Sequence, residues 1–225
     1  MLRGIVVSLL CLLALPSAAQ YNVKKMMEEG RRTLDQGYYV TSMQIFSRIV
    51  ALKPNLYEAW YLMALSKYHL EDYKGAGDDC RRALTLQPYI ADIYELYGMS
   101  NIHVERYDSA IVAFTHALDI TPDNRDYWFN RAYCLYQVGD SKAALQQLDY
   151  ILKRWKTFDA ASQLRADIVA GRKPKQQPMK SNTPQFYRLP SLKVESDDKA
   201  NPMKNKPLFA CLPIFLCFRF EIWSS

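Results

Sequence analysis

Glycine is scarce in this chain, 8 of 225 residues, and none of it sits in a phosphate-cradling loop or a nucleophile elbow. Histidines number three, and the five cysteines share no spacing with a zinc site or a redox motif. Long hydrophobic runs are missing too: Ile5–Leu15 and Leu208–Phe218 both fall well short of the roughly 20 residues a membrane-spanning helix needs. These absences exclude the commoner enzyme chemistries and give no reason to expect a cofactor or a metal. Nor does the net charge of +6 point to nucleic acid. Residues 21–171 hold 18 Lys and Arg against 19 Asp and Glu, while residues 172–225 hold 10 against 4, so the basicity belongs to the C-terminal segment alone.

What the chain does have is internal repetition. Pro54, Pro88 and Pro122 recur every 34 residues, and other columns keep step with them. Trp60, Tyr94 and Trp128 share one register position, and Gly30, Ala64, Gly98 and Ala132 share the one four residues later. Ser42, Ala76, Ala110 and Ala144 form a third column, and Phe46, Cys80, Phe114 and Leu148 a fourth. Two antiparallel helices in contact need small residues where their backbones approach and bulky ones beside them. The Gly/Ala and Ser/Ala columns meet the first need; the aromatic and Phe/Cys/Leu columns meet the second. Gly37 and Gly139, with the pairs Glu71-Asp72 and Arg106-Tyr107, fall where the first helix of each unit must end. Proline closes the second helix because it has no amide to continue one.

These columns closely resemble the tetratricopeptide repeat family over about Val23 to Phe158. The resemblance implies an all-α fold, a right-handed α-solenoid of four helical hairpins at 23–56, 57–90, 91–124 and 125–158. Its concave face usually holds an extended peptide or a partner's helix. Met26 stands where the family has Trp, Ser141 where it has Tyr and Lys156 where it has Pro, departures of the kind terminal repeats show. Residues 159–171 keep helical periodicity through Leu164 and Ile168 and end at Gly171, which suits a capping helix. Residues 20–171 therefore read as one repeat domain.

The termini read differently. Met1–Ala19 has an early charge at Arg3, the apolar run, Pro16 and then Ser17-Ala18-Ala19, the pattern of a secretory signal peptide cleaved before Gln20. A lipid anchor would need Cys11, but Leu10 is bulky where that signal takes a small residue. From Arg172 onward the chain is polar, basic and holds 7 of the 11 prolines, as a linker or disordered tail does. Its apolar end, Leu208–Phe218, has three readings: a segment that docks on the repeats, a membrane-surface anchor, or residues from a reading-frame change. The lack of helical or strand periodicity favours the third. Cys211 and Cys217 could pair in an oxidising compartment.

The candidate binding surface is the inner face of the first helices. Tyr61, Leu65 and Tyr68 lie at i, i+4 and i+7, and Phe129, Tyr133 and Tyr136 repeat the pattern; the third repeat offers Glu95, Met99 and Ile102. By the resemblance these positions line the concave groove, here aromatic and apolar. The competing reading is that they only pack against the neighbouring repeat. His69 and His103 share one register position and belong on the groove surface, about 10 Å apart and too far to share a metal ion. The family's charge clamp for a C-terminal carboxylate is not reproduced, since only Lys24 and Asn130 fall at clamp positions. Cys80 and Cys134 read as small buried hydrophobes. The pairs Glu28-Glu29 and Asp78-Asp79 read as solvated helix faces.

The functional expectation is a non-enzymatic, secreted scaffold of the bacterial cell envelope or periplasm that holds a protein or peptide segment in its groove. Membrane contact would come only through the apolar C-terminal end. Two alternatives remain: the N-terminal interaction module of a longer envelope protein cut short after about Lys180, and a glycan- or lipid-binding accessory protein that uses the aromatics as stacking platforms.

Overall fold

The computed structural model describes residues 22–172, which form nine helices and no strand. The chain divides into two units, Met1–Phe186 and Tyr187–Ser225, and every described residue belongs to the first. The signal-peptide reading, the basic segment after Arg172, its apolar end and the Cys211 and Cys217 pair lie outside the described residues. Four helical hairpins follow one another: α1 (Val23–Asp35) with α2 (Tyr39–Leu52), α3 (Tyr57–His69) with α4 (Tyr73–Leu86), α5 (Ala91–His103) with α6 (Tyr107–Ile120), and α7 (Arg125–Gln137) with α8 (Ser141–Arg154). A single helix, α9 (Asp159–Val169), packs on α8. Each helix packs on the ones before and after it, and the result is an all-α solenoid.

Local signals start and stop these helices. Asn22 Oδ1 accepts from the Lys25 amide at 3.1 Å, Asp72 from Gly75 at 2.9 Å and Asp140 from Ala143 at 3.0 Å, each capping an otherwise unpaired helix N-terminus. The turn inside every hairpin needs one left-handed residue. Gly37, Glu71, Glu105 and Gly139 occupy that position at φ of 80°, 64°, 58° and 93°. The third turn thus runs through Glu105 and Arg106, one residue earlier than the expected Arg106-Tyr107 pair, and Tyr107 opens α6. Two glutamates pay a steric cost there that glycine avoids.

The hairpin crossing is set by size complementarity. A Cβ on Gly30 would stand 2.8 Å from the Phe46 ring, and one on Gly98 would stand 2.8 Å from the Phe114 ring. Where the facing residue is smaller, Cys80 or Leu148, the position holds Ala64 or Ala132 instead. Phe46, Cys80, Phe114 and Leu148 are all fully buried, so the bulky side has nowhere to retreat.

The aromatic column does more than fill its hairpins, and one other expectation needs correction. Trp60 and Trp128 are half-buried and each packs on the second helix of its own hairpin, Trp128 against Tyr150 at 4.7 Å between ring centroids and Trp60 under the Arg82 guanidinium at 5.9 Å. Each indole donates to the carbonyl of the preceding proline, Trp60 to Pro54 and Trp128 to Pro122, both at 2.8 Å. A helix that ends at proline leaves such carbonyls without intrahelical partners. Tyr94, at the same register, lies against the His116 ring at 5.1 Å. Asp79 is not solvated: it is 6% exposed and pairs with Lys67 across the second hairpin at 2.6 Å. Burial outweighs that lysine and raises its carboxyl above the usual range.

Gly98→Ala gains about 1 kcal/mol of helix propensity but overpacks a ring that cannot move, at about 1–3 kcal/mol. We expect a lower melting temperature, partly restored by adding Phe114→Leu; thermal denaturation of the three chains decides it. At the turn, Glu71→Gly relieves the left-handed strain and should stabilise the chain by about 0.5–1 kcal/mol in urea titration, an outcome reversed if Glu71 makes a compensating contact.

Candidate functional site

The inner face is built from register positions on consecutive first helices. Glu58, Tyr61, Leu65 and Tyr68 lie at i, i+3, i+7 and i+10 on α3 and so share one side of it. Asp92, Glu95, Met99 and Ile102 repeat this on α5, and Asp126, Phe129, Tyr133 and Tyr136 on α7. The expected open aromatic groove is only partly there. Tyr61, Leu65, Glu95, Met99, Ile102, Phe129 and Tyr133 are all buried, none more than 9% exposed. Met99, Ile102, Phe129 and Tyr133 belong to the hydrophobic core around Phe114 and Ala132. Phe129 packs on Phe158 with ring centroids 5.5 Å apart, and Asn130 Nδ2 donates to Met99 Sδ at 3.6 Å. Stacking first helices side by side presses these central side chains between neighbours, so they are packing rather than open surface.

What stays within reach is the edge of the face. Tyr68 and Tyr136 are half-buried, and His69 and His103 are exposed. His69 stacks on Tyr39 at 4.5 Å between centroids and 8° between planes, and His103 stacks on Tyr73 at 3.9 Å and 4°. Tyr68 stands edge-on to Tyr73 and His103, and its Oη lies 3.0 Å from His103 Nε2. The five rings form one strip across three hairpins. Tyr39 and Tyr73, the first residues of α2 and α4, became part of the site only in three dimensions.

The other element is negative charge. Asp92 and Glu95 crowd the buried Tyr61 and Tyr127, and with burial as the larger cause they raise both phenols. Glu95 is in hydrogen-bond contact with Tyr127. Burial also raises the Asp92 carboxyl. Glu58 is buried and paired with Arg31. Sequence reasoning missed the column Glu58, Asp92 and Asp126, although it sits three residues ahead of Tyr61, Glu95 and Phe129 in the same 34-residue register.

Other chemistry is sparse among the described residues. No group of three or more His, Cys, Asp and Glu stands close enough to hold a metal ion. Cys80 and Cys134 are buried, and burial pushes both thiols up, away from the reactive thiolate. A shallow cleft of about 70 Å³ between α4 and α5, lined by Lys74, Arg81, Tyr97 and Arg106, has room for only a few waters. Among the described residues no helix is long and apolar enough to cross a membrane.

Sequence profiles of the tetratricopeptide repeat match residues 57–89 and 104–162. The chain belongs to that family. No curated protein sequence matches it. The tetratricopeptide array is similar in fold to a crystal structure of the MamA protein, with a TM-score of 0.63 at 15% identity over 66% of this chain and 81% of that one. It is similar to YrrB, described as having an unusual peptide-binding site, with a TM-score of 0.60 at 17% identity over 68% and 84%. Pseudomonas aeruginosa pilF gives a TM-score of 0.56 at 17% identity over 66% and 68%. At these identities the tetratricopeptide neighbours establish the fold.

The raised Asp92 carboxyl carries a sign. Its protonated form is favoured by the fold, so the penalty is absent below the ordinary carboxylate value of 3.8 and sets in as pH rises through the folded value. Asp92→Asn should therefore raise the melting temperature at pH 7 and leave it nearly unchanged at pH 3. A difference that is equal at both pH values would show that charge burial is not the cause.

Proposed function

We propose that this tetratricopeptide protein is a non-enzymatic adaptor, exported to the bacterial cell envelope, that holds a segment of another envelope protein against the inner face of its first helices. The observation that carries the reading is the accessible strip Tyr39, His69, Tyr68, His103 and Tyr73. Rings with polar tips bury much area at little entropic cost, which is why they concentrate at binding surfaces. The partly accessible Asp92 and Asp126 carboxylates at the other edge of the face favour a segment that also carries lysine or arginine. A peptide-binding site described in the similarly folded YrrB supports this class of ligand, and the Met1–Ala19 pattern supports export.

A photoreactive side chain at the exposed His69 position tests both parts in the native host. One recurrent envelope protein in the crosslinked fraction, on a chain that begins at Gln20, is the expected outcome. Self-crosslinks or a diffuse background would remove the adaptor role. An intact Met1 terminus in the cytosolic fraction would remove the export.

A further inference from the structure

One register position on the second helices is left empty in the second hairpin. Met43, Ile111 and Leu145 hold it in the other three, each half-buried, and Ile111 and Leu145 pack on the core. The second hairpin has Gly77 there, and Gly77 lines the cleft between α4 and α5. A Cβ on Gly77 would meet Tyr97 at 3.8 Å and Ser100 at 4.0 Å, ordinary contacts both, so sterics do not require glycine at this place. The cleft is the space of a missing side chain. Tyr97, Ser100 and Val104 line it from α5, on the side of that helix opposite Glu95, Met99 and Ile102, so it is separate from the inner face.

Its charge is mostly positive. Lys74, Arg81 and Arg106 border the cleft with a single carboxylate, Asp78, which pairs with Arg81. Both members of that pair are exposed, so the contact is weak and open to exchange. Among the described residues Lys74 and Arg106 make no ion pair. Arg106 is itself out of pattern. It precedes α6 at the position where Asp72 and Asp140 cap α4 and α8, with nearly their backbone conformation: φ −91° and ψ 62°, against −79° and 68°, and −82° and 66°. In its place α6 has no side-chain cap. The missing side chain and the missing carboxylate thus meet at one cleft.

We infer that this cleft is a site for one tetrahedral oxyanion, a phosphate or sulfate group, held by Lys74, Arg81 and Arg106. Guanidinium groups suit such ligands because their planar donors match two oxygens at once. The size agrees. A volume of about 70 Å³ corresponds to about two or three waters, roughly what such a group displaces, and leaves no room for a larger metabolite. The adaptor reading and this site do not depend on each other, so the failure of one leaves the other standing.

Titration of the full chain with inorganic phosphate at constant ionic strength, followed by amide NMR shifts, tests it. Saturable shifts centred on Gly77, Ser100 and Arg106, half-complete on the order of 1 mM, are expected from a few partly exposed charge contacts. Shifts that rise without saturation would mean screening of the whole surface and overturn the site. Gly77→Leu fills the cleft with the residue of the fourth hairpin and should abolish saturation, with the melting temperature unchanged or raised because leucine is the better helix former. Arg106→Asp should abolish it too and should melt higher, because it supplies the missing cap. Binding lost from a more stable chain is not a folding defect. Saturation retained in both variants would refute the inference. O-phosphoserine then separates the sources: binding tighter than phosphate assigns the cleft to a group carried on a larger molecule, and weaker binding assigns it to the free ion.

Discussion

The contact on which this structure depends is the crossing of two helices inside each hairpin, where one side must be as small as the other is large. Gly30 faces Phe46 and Gly98 faces Phe114, while Ala64 and Ala132 face the slimmer Cys80 and Leu148. Interiors packed at crystal density do not tolerate an extra methyl group in such a place. The crossing therefore fixes the hairpin. Repetition at 34 residues then fixes the stack, because each hairpin buries its remaining apolar side only against the next. Everything functional, the ring strip and the carboxylate column alike, inherits its spacing from that repeat.

The fold was legible in the sequence because its constraints are periodic. Helix starts at Val23, Tyr57, Ala91 and Arg125 follow from columns that can be aligned by eye. Single side chains were less legible. Register shows which side of a helix Met99 or Phe129 occupies, but not how far the neighbouring helix covers it, and both turned out to be core. Trp60 was legible as a filler of its own hairpin, but not its hydrogen bond, which reaches back to the Pro54 carbonyl in the preceding turn. Asp79 was read as solvated because its partner Lys67 is distant in sequence.

The site joins two elements that register alone does not combine. The ring strip unites side chains from opposite ends of hairpins, Tyr39 with His69 and Tyr73 with His103, and no single helix carries it. The carboxylate column is the reverse case, visible at fixed spacing but silent about its field until Tyr61 and Tyr127 are seen buried beside it. In the proposed adaptor role, a surface with rings at one edge and charge at the other would favour a segment that offers both apolar contact and positive charge.

The indole bonds between hairpins are unevenly distributed. Trp60 ties the second hairpin to the first and Trp128 ties the fourth to the third, but the equivalent joint at Pro88 has Tyr94, whose ring leans on His116 instead. A hydrogen bond of this kind contributes about 0.5–1.5 kcal/mol. In mechanical terms the middle joint is held differently rather than loosely, because Tyr68 and Tyr73 of the second hairpin both bear on His103 of the third. The ring strip is thus also the clasp of that joint, so Tyr68, Tyr73 and His103, which present a surface, hold the second and third hairpins together as well.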